Sequence, residues 1–137
     1  MRREIPALLA MFCCQTSFAD ESLCASKYKI ISNQFYVYNE KSAVSNAVMD
    51  RIATYVKETD ISTIHPADAK AWRAAIESFI AAGQPMLQNI MEYRALGCSP
   101  AQQAQMNAQI DKITEDLKYS RSRLNALING FPASVFQ

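Results

Sequence analysis

The residues with the most chemical reach in this chain are few: His65, the cysteines Cys13, Cys14, Cys24 and Cys98, and a carboxylate cluster of Asp111, Glu115 and Asp116. A single histidine leaves no second imidazole for a metal pair. No Cys-x-x-Cys-His haem attachment, Glu-x-x-His di-iron pattern, phosphate loop or zinc spacing occurs. His65 stands before Pro66 and reads as a solvated loop residue at a helix start. Lys112 and Lys118 interleave with the carboxylates, which is the pattern of a solvated face and not of a buried acid–base pair. Met49, Met86 and Met106 fall at helical core spacing, with Met91 beside them. Methionine there is a gap-filler, and His65 belongs to the other end of the fold. These residues predict no catalytic site and no cofactor.

The cysteines divide into two pairs with different fates. Met1-Arg2-Arg3-Glu4 is short and basic, Ile5–Cys14 is apolar, and Ser17-Phe18-Ala19 places small residues where a signal peptidase reads. That order predicts a cleavable secretory signal over residues 1–19. A membrane span needs about 20 apolar residues, twice what this run supplies, so no stable span is expected after cleavage. Removing residues 1–19 takes away Arg2, Arg3 and Glu4 and leaves acidic and basic side chains equal in number. Such a chain has no field for nucleic acid. Cys24 and Cys98 remain, and two cysteines in an exported domain point to one disulfide.

The elements that must position those cysteines are written as ladders of spacing three and four. Cys24, Tyr28, Ile31, Phe35 and Tyr38 begin the first, which continues through Ser42, Ser45, Met49, Ile52 and Val56. It predicts a helix over about 21–57. The second runs Ala69, Trp72, Ile76, Phe79, Gly83, Met86, Ile90, Tyr93 and Gly97. Pro66 suits a first helical turn, so this helix is placed at 66–97, kinked near 83–85 by Gly83 and Pro85. The third is Met106, Ile110, Ile113, Leu117, Ser120, Leu124 and Leu127, a helix over 100–129. Ser99 is its expected N-cap, with Gln102 completing a capping box. A tail, 131–137, follows.

Only Cys98 separates Gly97 from the Ser99 cap, so helices two and three must be antiparallel neighbours. If the first helix rises and the second descends, Cys24 and Cys98 meet at one end, within the 7 Å or so that a bridge demands of its Cα atoms. A four-helix alternative, with helix one broken near 39–42, would place the cysteines about 45 Å apart at 1.5 Å per residue. The predicted fold is therefore all-α: an up-down-up bundle of three long antiparallel helices with one disulfide, in a single domain over 20–137.

Three features exceed what a plain bundle needs. Ser42, Ser45 and Ser120 lie on the seams near the level of Trp72 and Phe79. They either make room for the rings or line a mid-bundle groove. Tyr36, Val37 and Tyr38, beside Phe35, give helix one a wide apolar face of the kind enriched at interfaces. Phe131 and Phe136 in the tail either fold back over the bundle or dock a partner. The expected function is non-enzymatic: a periplasmic or secreted bundle acting by protein–protein interaction or self-association, as an envelope or secretion accessory, an inhibitor or an immunity-type factor. The alternative is a carrier or sensor of a small apolar ligand, haem or metal held within the bundle.

Overall fold

A computed structural model describes residues 4–56 and 60–137, with side chains from residue 21 onward. The predicted signal sequence, 1–19, lies outside the described side chains. Three long helices account for nearly all of the rest: α1 (Glu4–Ala53), α2 (Pro66–Ala95) and α3 (Gln103–Gly130). Among the described residues there is no strand. The helices form the up-down-up bundle, and Cys24 and Cys98 are bridged with their Cα atoms 5.6 Å apart.

Helix α1 stops at Ala53, four residues before the sequence-based boundary. Its last turn loosens through Thr54 and Tyr55, whose backbone amides bond to Arg51 and Ile52. A 3₁₀ turn, Ile61–Thr63, follows, capped by Asp60, which accepts from the Ser62 backbone at 3.1 Å and its hydroxyl at 2.6 Å. The stop of α2 is set by Gly97, the one described residue with positive φ, at 71°, a conformation open to glycine at no steric cost. The expected Ser99 capping box is not formed. Pro100–Gln102 winds as a 3₁₀ turn, and the Ser99 hydroxyl bonds the Gln102 side chain at 2.9 Å instead of a backbone amide.

Helix α2 runs unbroken through Gly83-Gln84-Pro85, and Gly83 has a packing role. A Cβ on Gly83 would lie 2.7 Å from a Leu117 methyl and 2.9 Å from the Tyr38 ring. The missing side chain is what lets α1 and α3 both close on α2 at this level. Helix α2 is the central element, packing against α1 on one side and α3 on the other.

The core divides in two. Toward the disulfide, Ile31, Tyr38, Phe79, Met86, Ile90, Ile113 and Leu117 form one cluster. At the far end Val48, Ile52, Ile64, Ala69, Trp72, Ala75, Ile76 and Leu127 form the other. Ser42, Ser45 and Ser120, all half-buried, occupy the level between them.

Candidate functional site

Because α1 and α3 both lean on α2, a groove runs between them along the bundle, with α2 as its floor. Its middle section, of about 290 Å³, is lined by Ser42 and Ser45 from α1, Trp72 and Phe79 from α2, and Asp116, Ser120 and Arg123 from α3. The seam serines, read from the sequence either as room for the Trp72 and Phe79 rings or as a groove, line this section beside both rings. Toward the far end it continues into an apolar chamber of about 370 Å³ bounded by Met49, Ile52, Ala53, Val56, Ile61 and Ile64. Trp72 and Arg123 line both sections and form the partition. A third section, of about 430 Å³, near the disulfide end, is walled by Tyr28, Phe35 and Tyr93 against Gln102, Gln105 and Gln109.

Two polar groups at the partition lack ordinary partners. The half-buried Arg123 guanidinium sits 5.2 Å over the Trp72 ring and 4.5 Å over Tyr119. Its donors reach the Met49 sulfur at 3.0 Å and the Tyr119 hydroxyl. Among the described residues no carboxylate pairs with it. The Trp72 indole N–H is buried with no acceptor, a deficit worth about 1–3 kcal/mol. Asp116, the carboxylate in the wall of the middle section, is already engaged by Lys112 at 3.0 Å and by the Tyr38 hydroxyl at 3.1 Å. Burial first, and Asp116 second, push the Tyr38 phenol well above its usual range.

The residues expected to bind a partner separate sharply. Tyr36 is 73% exposed and Val37 43% exposed. Tyr38 is 6% exposed and belongs to the core, its ring tilted against Phe79 with centres 4.6 Å apart beside the Gly83 gap. A phenol bonded to Asp116 at the core's edge is a structural post, so Tyr38 leaves the binding face. Phe131 and Phe136 are half-buried. The tail forms a short 3₁₀ turn, Ala133–Phe136, that folds back with Phe131, Val135 and Phe136 against the Trp72–Leu127 cluster. Arg73 lies 4.6 Å over Phe136, and Lys70 bonds the Gln137 carbonyl at 2.7 Å. Tyr28, expected on the inner seam, is instead 62% exposed.

What replaces them is a stripe on α1 that the inner-seam reading passed over. Leu23, Ile30, Val37 and Val44 are spaced seven apart, and all four are between 43% and 55% exposed. Residues at a seven-residue spacing share one helix face. The intervening positions of that outer seam, Ser26, Asn33, Glu40 and Ala47, are exposed and small or polar. Helix α1 therefore carries two apolar seams, one spent on the bundle and one open. The signal was present in the sequence as a strict period of seven, hidden by the more crowded inner ladder.

His65 is exposed and stacked on Tyr55 with ring centres 4.0 Å apart. Among the described residues no group of three His, Cys, Asp or Glu side chains converges as a metal site would require, and no helix is long and apolar enough to cross a membrane. No protein-family model, no curated protein and no solved structure matches this chain.

Proposed function

We propose that the protein is an exported, non-enzymatic bundle that works by binding another protein, and that the outer face of α1 is the surface it uses. Residues 1–19 serve as the export signal, the mature chain acts in the periplasm or outside the cell, and the disulfide suits that oxidising setting. The observation that carries the reading is the Leu23–Ile30–Val37–Val44 stripe, with Tyr36 adjoining it. Four aliphatic side chains left half in water at heptad spacing match what a partner's amphipathic helix needs to dock along α1. A large ring such as Tyr36 is the residue type that dominates interface energetics.

The test uses the double variant Ile30→Glu, Val37→Glu. Two charges on the stripe should reduce the complex recovered by chemical cross-linking in intact cells at least tenfold. The melting temperature should move by no more than about 3 °C, the scale of surface substitutions. A large fall in melting temperature would show that the stripe belongs to the fold. An unchanged cross-link would place the interface elsewhere. A cross-linked product of twice the protein's own mass would identify the partner as a second copy.

A further inference from the structure

We infer that the groove between α1 and α3 is a binding site for a single-chain amphiphile with an anionic head, seated with its head at Arg123 and its tail in the apolar chamber beyond it. This inference is independent of the α1 outer face. The two sections that meet at the partition differ in chemistry as the two ends of an amphiphile do. On one side the wall is Ser42, Ser45 and Ser120, with Lys112 further along. On the other it is Ile52, Ala53, Val56, Ile61 and Ile64, with Asp60 the carboxylate among its described residues, held by the Ser62 hydroxyl at 2.6 Å. Their volumes, about 290 and 370 Å³, together fall in the usual range for small-molecule sites, roughly 300–1,000 Å³.

Charge fixes the sign of the head group. Arg123 has five N–H donors to satisfy, and among the described residues these reach a thioether and a phenol, both weak or neutral acceptors. The buried Trp72 N–H, on the ring that Arg123 covers, adds another donor without an acceptor. A carboxylate or phosphodiester supplies charged acceptors for such donors. Asp116 lines the same section and would repel an anion, but Lys112 and Tyr38 already hold it. A cationic amphiphile would meet Arg123 directly, and a neutral one would leave its charge unmatched.

The chain has one tryptophan, and it stands at the partition, so its emission reports occupancy without a label. Dodecanoate, kept below its micelle concentration, is titrated into the mature protein beside dodecanol and dodecyltrimethylammonium. Dodecanoate should give a saturable change in Trp72 emission and bind at least tenfold tighter than either of the others. A lysophosphatidylglycerol of the same tail length separates a phosphodiester head from a carboxylate, and preference for either one fits the site. Arg123→Met should bring the acid down to the affinity of the alcohol. Ala53→Phe, at an exposed position on the tail chamber's wall, should weaken acid and alcohol alike by about tenfold and keep the acid's advantage. Absence of a saturable signal with the wild-type protein would overturn the inference, as would equal binding of acid and alcohol. So would an Arg123→Met protein, shown to be folded by circular dichroism, that still prefers the acid.

Discussion

At the scale of single residues, Tyr36 and Tyr38 show how two neighbours of similar chemistry take opposite roles. They differ by about 200° around the helix, which puts one ring in solvent and the other in the core against Phe79. Tyr38→Ala should destabilise the fold by about 3–5 kcal/mol, the range for emptying a ring-sized core site, as read by urea denaturation. Tyr36→Ala should cost less than about 0.5 kcal/mol in the same experiment. Phe35, half-buried at the core's margin, should fall between them. Gly83→Ala tests the close approach of the three helices. Alanine gains about 1 kcal/mol of helix propensity over glycine, but overpacking costs about 1–3 kcal/mol. The variant should be net destabilised, because its new methyl meets the rigid Tyr38 ring as well as the flexible end of Leu117. A stabilised Gly83→Ala protein would show that the helices have slack at this level.

At the scale of elements, the ladders explain why most of the fold was legible in the sequence. Seven of the α2 positions that keep strict register, from Ala69 to Ile90, are buried, and the cysteines met as the topology required. Burial decided the rest, and spacing alone does not carry it. Helix α1 packs chiefly against α2, so Tyr28, on its inner ladder, is left largely in water while Val48, off that ladder, is buried. The tail's return depended on contacts with Lys70 and Arg73, distant in sequence. The elements are also tied by charge at both ends of α2. Lys27 bonds Glu92 at 2.5 Å and Arg51 bonds Asp68 at 2.9 Å. The hydrogen bond from Lys27 holds the Glu92 carboxyl below its usual 4.5. Hydrogen bonds from Tyr55 and then Arg51 hold Asp68 below 3.8. A carboxylate with a lowered folded-state pKa stabilises the fold above its unfolded value, and that contribution is lost as pH falls through the folded value. The melting temperature should therefore be steady from neutrality down to about pH 5 and decline below it. Glu92→Gln and Asp68→Asn should each make that acid decline shallower. An acid limb as steep in both variants as in the parent would show that other carboxylates govern it.

At the scale of the whole molecule, one staple and one central helix organise everything else. The bridge closes a loop with a sequence separation of 74. Removing it through Cys98→Ser should cost about 2–5 kcal/mol, while the helical content of the remaining fold stays high by circular dichroism. With α2 committed to both neighbours, the groove between α1 and α3 and the outer face of α1 are left open. The first presents Arg123, a cation with no carboxylate partner among the described residues, beside an apolar chamber, and the second an aliphatic stripe. The seam serines left two readings of the sequence open, room for rings or a groove, and the charge beside them was not legible, because Arg123 lies off the ladder that the sequence displays. The stripe was legible as a period of seven only once the inner seam had been assigned.

The most direct test of the account is a photo-cross-linker placed at position 37, on the outer stripe of α1, in protein expressed in its native cells. Position 115, exposed on α3, serves as the control. The account predicts one discrete cross-linked product from position 37, identified by mass spectrometry, and none from position 115. The same product from both positions, or none from position 37 in protein shown to be folded and bridged, would contradict it.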